Sequence, residues 1–340
     1  MNKIENKIKV SVIGTGHLGS KHCRLLKNNR LAEFVGVFDT DKERALNIST
    51  ELNITAYSSM EKLMEESEAV IIASPTTTHY EISKRCLEAN LHCFIEKPVT
   101  SSLVEAEKLK KIASEKPGLV IQVGHIERFN PAIKALKNYK IEPLFIEAHR
   151  MSKFNMRATD VSVVHDLMIH DIDIALWLIN SPIKSIDANG VGVVTNTIDI
   201  ANARINFMNG AVANLTSSRI STKPMRKVRF FQKFGYFSLD FLNSDVDVFR
   251  IDSNISTSDF GLNSNSNIVL PDSNFPDLSL FETPDGRRVI FEKPEVIKTN
   301  AMEEEQTLFI NSIINSEKPF IGLEAATAAL EVAEEIITLL

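Results

Sequence analysis

The first part of the chain alternates short apolar runs with segments whose apolar residues recur at helical spacing. Continuous apolar runs at residues 8–13, 34–38 and 69–73 predict buried strands, because strands covered on both faces are apolar throughout. A fourth run ends at Ile95, and a fifth covers residues 119–123. Strands that alternate with helices predict an α/β fold with a doubly wound parallel sheet.

The pattern changes after about residue 130. Helical spacing at residues 130–138 and 165–179 gives way to runs with strand character. The predicted strands are residues 185–194, 199–207, 211–219, 227–231 and 236–241. Asn209-Gly210 is a strong hairpin signal between two of these runs. A meander of antiparallel strands is therefore expected.

The last third of the chain begins with a segment that has no clear period. Residues 253–274 are dense in Asn, Ser and Asp, which predicts a long loop. Helical patterns at residues 302–316 and 323–339 close the chain.

A glycine-rich turn follows the first apolar run and reads Gly14-Thr15-Gly16-His17-Leu18-Gly19. Glycines between a strand and a helix allow a tight turn, close approach of a pyrophosphate and close helix packing. The second run ends at Asp39, where a carboxylate binds the ribose 2′-hydroxyl of NAD and repels the 2′-phosphate of NADP. Although Arg44 offers a phosphate ligand, the turn and Asp39 predict NAD rather than NADP.

The third strand ends in residues that suit the same cofactor. Ser74, Pro75 and Thr76 form a compact hydroxylated turn, which allows close contact with the ribose and nicotinamide. His79 follows at the start of the next helix. It is a candidate cofactor ligand, and a role only in starting the helix is the alternative.

The fourth strand stops abruptly at Glu96, Lys97 and Pro98, because a proline has no amide hydrogen for a central ladder. Ligands of an open parallel sheet bind outside the carboxyl ends of its strands. We therefore expect Glu96 and Lys97 to face the cofactor and Lys97 to take part in the chemistry. A surface Glu-Lys pair is the alternative interpretation.

Length and charge narrow the class of protein. A chain of 340 residues exceeds what one core supports, which predicts a nucleotide-binding domain at residues 1–124 and a second domain at 125–340. The net charge of −6 argues against nucleic-acid and anionic-membrane partners. The cysteines are odd in number and lack metal-site spacing, which favours reduced thiols and a cytoplasmic location.

A second polar constellation lies in the helix predicted at residues 165–179. Asp166 and His170 are four residues apart and share a helix face, so the carboxylate can orient the imidazole as a general base. Asp173 adjoins that face, and polar residues that merely face solvent are an equally good interpretation of the spacing. His165 and His170 point to different faces, so no metal site is predicted.

These motifs, in this order and spacing, resemble those of the Gfo/Idh/MocA family of NAD(P)-dependent oxidoreductases. The likeness rests on GTGHLG, FDTD, SPTTTHY, EKPV and VGHIERFNPA. It implies an N-terminal Rossmann domain and a C-terminal α/β domain with a large open, mainly antiparallel sheet. That sheet commonly forms the subunit interface, which implies a homodimer or a homotetramer.

The resemblance also assigns catalytic roles. The family pattern of Asp, three residues, His, two residues and Asp matches Asp166, His170 and Asp173, which implies that Asp166 and His170 act beside Lys97 in catalysis and substrate binding. Many members carry glycines where this chain has residues 160–164 and Met168. The substrate subclass therefore stays open.

Seven basic residues and no acidic one lie between Asp199 and Asp240. The basic residues are Arg204, Arg219, Lys223, Arg226, Lys227, Arg229 and Lys233. They predict either a surface for an anionic group such as a sugar-nucleotide diphosphate, or a sheet whose charges meet acidic partners elsewhere. Arg219, together with Arg128, is a candidate substrate ligand.

We expect an NAD-dependent dehydrogenase that takes a hydride from a sugar hydroxyl carbon. The resemblance implies a UDP-sugar such as UDP-N-acetylglucosamine. His170 is expected to accept the hydroxyl proton while Lys97 stabilises the alkoxide, and Lys97 as the base is left open. Inositol or free-sugar dehydrogenases and NAD-dependent glycosidases are alternatives on one scaffold, and a non-catalytic NAD-binding sensor is an alternative of another class.

Overall fold

The computed structural model describes residues 7–154, 161–256 and 287–340. These residues form two compact units. The first unit takes the described residues of Met1–Phe129, Val164–Ile174 and Thr299–Leu340, and the second takes those of Asn130–Val163 and Ala175–Lys298. The division into domains at residues 124 and 125 stays a prediction.

The first unit is built on a six-stranded parallel sheet. Its strands are β1 (Ile8–Ile13), β2 (Ala32–Phe38), β3 (Thr55–Ala56), β4 (Ala69–Ile72), β5 (His92–Glu96) and β6 (Ile121–Gly124). Their order is β3-β2-β1-β4-β5-β6. The order reverses between β1 and β4, which is the position where ligands bind in sheets of this kind.

Helices lie along both faces of this sheet. The helices of the chain are α1 (His17–Asn28), α2 (Lys42–Leu52), α3 (Met60–Glu65), α4 (His79–Glu88), α5 (Leu103–Ser114), α6 (Pro131–Lys134), α7 (Ile169–Ile179), α8 (Ala301–Asn315) and α9 (Leu323–Leu339). None of these described helices is both long and apolar enough to cross a bilayer. Phe309 of α8 belongs to the core cluster that contains Val12, whereas Leu330 of α9 belongs to the cluster that contains Ile72.

Within the described ranges, the sheet of the second unit has eight strands. They are β7 (Phe145–Met151), β8 (Ile183–Val191), β9 (Ile200–Phe207), β10 (Val212–Ser218), β11 (Met225–Gln232), β12 (Gly235–Asp240), β13 (Asp245–Ser256) and β14 (Arg287–Glu292). Their order is β14-β13-β12-β11-β7-β10-β9-β8. All neighbours are antiparallel except β7 and β10, so the predicted α/β class with a mainly antiparallel second sheet is confirmed.

Several details differ from the sequence predictions. β7, β13 and β14 were not predicted, and α6 is shorter than the helix expected at residues 130–138. Residues 253–256 belong to β13 rather than to a loop, and the rest of that predicted loop lies outside the described residues. The hairpin at Asn209-Gly210 is confirmed, since Gly210 has a φ of 86° and the Asn209 Oδ1 accepts the Ala211 amide.

The connection between β8 and β9 is organised by a buried carboxylate. Asp199 Oδ2 accepts the amides of Val193, Val194 and Thr195 at 2.8, 2.7 and 2.9 Å, and its Oδ1 accepts the Thr195 hydroxyl. Burial alone would raise the pKa of Asp199, yet these hydrogen bonds bring it well below its ordinary value. Asp199 therefore stabilises the fold as an anion.

We expect Asp199→Asn to lower the free energy of unfolding at neutral pH by about 1–3 kcal/mol, because the amide replaces one charged acceptor oxygen with a donor. Urea unfolding followed by circular dichroism measures the change. Asp187→Asn, at an exposed position of β8, is the matched control and should change the free energy little. Equal stabilities of the Asp199 variant and the wild type would contradict the assigned role.

Candidate active site

The three glycines of the turn after β1 have different surroundings. Gly14 has a φ of +91°, and a Cβ there would lie 2.6 Å from the Ser74 amide nitrogen. A Cβ on Gly19 would lie 1.8 Å from the Gly14 carbonyl oxygen. A Cβ on Gly16 would meet no heavy atom within 4 Å, and Gly16 is the N-cap of α1. The first and third glycines therefore allow internal packing, and the second leaves open space at a helix N-terminus that suits a pyrophosphate.

Asp39 links the end of β2 to this turn through hydrogen bonds with Thr15. Its Oδ2 accepts the Thr15 amide at 2.7 Å and the Thr15 hydroxyl at 2.9 Å, and its Oδ1 accepts the Asp41 amide at 2.8 Å. Arg44, the alternative phosphate ligand, donates from Nε to Asp41 Oδ2 at 2.8 Å. The carboxylate is thus fixed where a ribose-binding acid is expected, while the arginine has an acidic neighbour.

A cavity of about 350 Å³ lies beside the turn and Asp39. Its lining includes Gly14, Gly16, Asp39, Ser74, Pro75 and Thr78. The Ser74 and Thr78 hydroxyls lie 2.7 Å apart on its wall, and Thr76 is half-buried in the 3₁₀ turn Thr76–Thr78. Open space at a helix N-terminus, a fixed carboxylate and hydroxylated walls fit NAD. The assignment of these residues as its ligands, together with His17 and Leu18 in the first turn of α1, stays a prediction.

His79 does not line the cavity. Its side chain is buried, and its ring nitrogens lie 2.9 Å from the Pro98 carbonyl oxygen and 2.9 Å from the Ser74 carbonyl oxygen. The imidazole therefore joins the turn after β4 to the turn that carries Lys97. Its direct role in cofactor binding stays a prediction.

Lys97 lies at the carboxyl end of β5, and its partner comes from a distant segment. Its Nζ donates to the Asp166 carbonyl oxygen at 2.8 Å and lies 3.8 Å from the Asp166 Oδ1. Asp166 belongs to a π-helical turn, Val164–Met168, that precedes α7. Such turns interrupt the regular ladder of a helix and are frequent at functional sites.

The predicted catalytic residues all belong to the first unit. Lys97 contacts Asp166 directly, and His170 lies on the first turn of α7. The described partner of the Asp166 carboxylate is Lys97. The assigned roles of these residues stay predictions.

Asp173, the last acid of the motif, forms a buried ion pair. Its carboxylate accepts both Nε and Nη2 of Arg128, at 2.8 and 2.6 Å. The His125 Nδ1 lies 3.8 Å from the same carboxylate, and burial lowers the pKa of His125. Arg128 is 8% exposed, and its described ion-pair partner is Asp173. Its role in substrate binding stays a prediction.

In the basic segment of the second unit, at least three of the seven basic residues contact acceptors of that unit. Arg219 is buried and donates to the Val161 carbonyl oxygen, with its Nε 3.9 Å from Asp199. Arg229 lies 2.8 Å from Glu147, and Lys227 lies 3.8 Å from Asp240. These contacts favour the interpretation in which the basic residues meet acidic partners, while substrate binding by Arg219 stays a prediction.

Two titratable residues of the first unit were not selected as site residues from the sequence. His165 is half-buried in the π-helical turn, and burial lowers its pKa. Glu305 of α8 is buried, and burial followed by the charges of Glu96 and Asp173 raises its pKa well above the ordinary value. Among the described residues, no group of three His, Cys, Asp or Glu side chains is placed to hold a metal ion.

Comparison with known proteins decides the family. Residues 8–125 match the oxidoreductase family with an NAD-binding Rossmann fold, and residues 140–235 match the Gfo/Idh/MocA C-terminal domain. The chain belongs to the Gfo/Idh/MocA oxidoreductase family. The predicted class of protein, an NAD-dependent oxidoreductase, is confirmed.

Individual members of this family show how the likeness is distributed. UDP-N-acetylglucosamine 3-dehydrogenase from Acidithiobacillus ferrooxidans is 39% identical over 244 residues, which cover 72% of this chain and 77% of the relative. Its solved structure matches with a TM-score of 0.85 and 32% identity, over 98% of this chain and 97% of that chain. scyllo-Inositol 2-dehydrogenase (NAD(+)) from Bacillus subtilis is 31% identical over 242 residues, which cover 64% of this chain and 69% of the relative.

We expect Asp39→Ser to weaken NAD binding by roughly tenfold and to narrow the preference for NAD over NADP, because the anion that accepts the 2′-hydroxyl and repels the 2′-phosphate is removed. Fluorescence titration of the purified protein with NADH and NADPH measures both affinities. Glu33→Ser, at an exposed position of β2, is the control. Wild-type protein that binds NADPH as tightly as NADH would contradict the assignment.

Proposed function

We propose that this protein oxidises the C3 hydroxyl of UDP-N-acetylglucosamine and transfers the hydride to NAD. The observation that carries the proposal is the contact of the Lys97 Nζ with Asp166 at the carboxyl end of β5, in the unit whose sheet also forms the nucleotide cavity. The relative that is 39% identical over 244 residues is named for this substrate and position. Support for the substrate therefore comes from the relative, and support for the chemistry comes from the site.

Two side chains act on the reacting hydroxyl in the proposed step. His170 accepts the hydroxyl proton as the carbon–oxygen bond gains double-bond character. The Lys97 ammonium stabilises the charge that develops on the oxygen, and its contact with the Asp166 carbonyl fixes its position. NAD, when bound, supplies the acceptor for the hydride.

The neighbours of Lys97 favour this division of roles. An ammonium beside a carbonyl oxygen and a carboxylate is stabilised in its charged form, which suits a hydrogen-bond donor better than a proton acceptor. His170 then takes the role of general base. If Lys97 were the base, it would have to be a neutral amine beside the carbonyl oxygen and carboxylate of Asp166.

Inositol is the second candidate substrate, because the relative from Bacillus subtilis is named as a scyllo-inositol dehydrogenase. A thermal-shift screen in the presence of NAD separates the two. Binding stabilises a fold by mass action, so UDP-N-acetylglucosamine should raise the melting temperature more than an inositol or a free sugar does. A larger shift with scyllo-inositol would favour the second candidate.

Replacing either proposed catalytic residue should abolish most of the turnover. We expect Lys97→Ala and His170→Ala each to lower kcat for NADH formation by a factor on the order of a hundred, with little change in NAD affinity. Asp166→Asn should cost less, because the carbonyl that holds Lys97 is retained. The double variant should lose less than the product of the single losses, as expected for groups that act on one transition state.

Lys108→Ala, at an exposed position of α5, is the matched lysine control and should keep wild-type turnover. Near-wild-type turnover of the Lys97 and His170 variants would remove both residues from catalysis. Wild-type protein that binds NAD and oxidises none of the sugars or inositols would favour the alternative of a non-catalytic NAD-binding sensor.

We also propose that the protein is a homodimer or homotetramer that pairs through the sheet of the second unit. Directly paired aromatic residues run across five neighbouring strands, at Phe145, Phe231, Tyr236, Phe249 and Phe291. Neighbouring ring centroids lie 4.7 to 5.9 Å apart, and all five side chains are partly exposed. A second copy of the same row, related by a two-fold axis, would cover this apolar surface.

Light scattering tests the assembly. The wild type should be larger than the 38.0 kDa of one chain at micromolar concentration, and Phe231→Glu should shift it toward the monomer because a charge is placed in the row. Leu46→Glu, at an exposed apolar position of α2, should leave the assembly unchanged. A monomeric wild type would contradict the proposal.

Reduced buried thiols at Cys23, Cys86 and Cys93 support a cytoplasmic location, which fractionation of the source cells would test.

A further inference from the structure

His22 is a fully buried histidine of α1 that neither the proposed cofactor site nor the proposed catalytic group uses. Its ring packs edge-on against Phe94 of β5, with the ring centroids 5.3 Å apart. Its Nε2 lies 2.7 Å from Glu96 Oε1, and its Nδ1 lies 2.7 Å from Gln306 Nε2. The imidazole thus stands between α8 and the residue that precedes Lys97.

The contacts of Gln306 determine which nitrogen of His22 carries the proton. The Gln306 Nε2 also lies 3.2 Å from the His22 carbonyl oxygen, and a carbonyl only accepts hydrogen bonds. The amide nitrogen must therefore face this carbonyl, and it donates to the His22 Nδ1 as well. Because Nδ1 accepts, the proton of the neutral ring lies on Nε2 and is donated to Glu96.

Glu96 is the buried carboxylate that accepts this hydrogen bond. The backbone amide of Lys97 donates to its Oε2 at 3.3 Å, and Gly124 of β6 leaves room for it, since a Cβ there would lie 3.1 Å from Oε2. Burial alone would raise the pKa of Glu96, yet the close contact with His22, followed by the charge of Lys97, brings this pKa below the ordinary value. Glu96 is therefore an anion next to the catalytic lysine.

The other titratable groups near Glu96 differ from it in charge. Burial, followed by the charges of Glu96 and Asp173, raises the pKa of Glu305 well above its usual range, so Glu305 is the neutral acid of α8. Burial lowers the pKa of His125, which is therefore uncharged. The buried carboxylate of Asp173 is paired with the guanidinium of Arg128, whereas the carboxylate of Glu96 has the His22 imidazole as its side-chain donor.

We propose that His22 is a positioning residue for the catalytic centre: held by Gln306, it donates from Nε2 to the Glu96 carboxylate and thereby keeps an oriented anion behind Lys97. The anion favours the ammonium form of Lys97 that alkoxide stabilisation requires. This inference rests on the proposed role of Lys97. The pair of His22 and Glu96 can nevertheless be observed without substrate.

The direct test is nitrogen NMR of the wild-type protein with labelled histidine, assigned by comparison with His22→Phe. The expected result is a proton on Nε2 of His22 at every pH between about 6 and 8, because Glu96 and Gln306 fix the tautomer. A proton on Nδ1 would overturn the inference. This measurement needs neither sugar nor turnover, so its failure is distinct from a failure of the proposed function.

The kinetic test uses His22→Phe, which keeps an aromatic ring against Phe94 and removes the donor. Without the donor the pKa of Glu96 rises, so the acid limb of the pH profile of kcat/KM, which the general base His170 also shapes, should become steeper and shift upward at its low-pH end, with kcat reduced roughly tenfold or more. His22→Gln, whose amide reaches a position close to that of Nε2, should restore the wild-type limb.

Stability is measured in parallel, because a buried substitution can simply weaken the fold. Leu26→Ala, at another buried position of α1, should lower the melting temperature without moving the acid limb. A His22→Phe variant that loses stability but keeps the wild-type limb and kcat would overturn the inference. A shifted limb that His22→Gln reverses would support it.

Discussion

The hydrogen bond from the Lys97 Nζ to the Asp166 carbonyl is the contact on which the proposed chemistry depends. It joins two segments that are 69 residues apart in the chain. β5 ends at Glu96, so the lysine leaves the sheet at the edge where ligands of parallel sheets bind. The π-helical turn Val164–Met168 presents the carbonyl to it. A side chain with four rotatable bonds is thereby given one defined position.

Burial of charge is the second constraint on this unit. A carboxylate away from water is costly unless it is paired and hydrogen-bonded, and the unit satisfies this condition in different ways. Asp173 is paired with the guanidinium of Arg128, whereas Glu96 accepts a hydrogen bond from the imidazole of His22. Burial, followed by the charges of Glu96 and Asp173, raises the pKa of Glu305 well above its ordinary value, which favours the uncharged acid. Each buried acid near Lys97 therefore has its own means of stabilisation: an ion pair, a hydrogen bond or a raised pKa.

The sequence predicted features whose physical cause is local. The glycine turn, the carboxylate at the end of β2 and the proline that ends β5 each follow from a few neighbouring residues. β7 was missed because its buried positions, Ile146, Ala148 and Arg150, include a charged residue that disguises the alternation of a strand.

Features that depend on partners far apart in the chain could not be predicted from the sequence. Arg128 and Arg219 look like anion ligands in isolation, and only the fold shows that Asp173 and the Val161 carbonyl meet them. Glu305 lies in an acidic run at the start of α8 that reads as a solvated surface, yet its side chain is buried. The contacts of His22 with Glu96 and Gln306 link residues 74 and 284 positions apart. No local pattern contains that information.

The central claim is that a hydride passes from the C3 carbon of the sugar to NAD, and isotope transfer tests it most directly. The wild-type protein would be incubated with NAD and UDP-N-acetylglucosamine that carries deuterium at C3, and the cofactor would be examined by mass spectrometry. Direct hydride transfer from C3 should give reduced cofactor that contains one deuterium, formed more slowly than with unlabelled substrate. Reduced cofactor without deuterium, or no reduction of NAD, would contradict it.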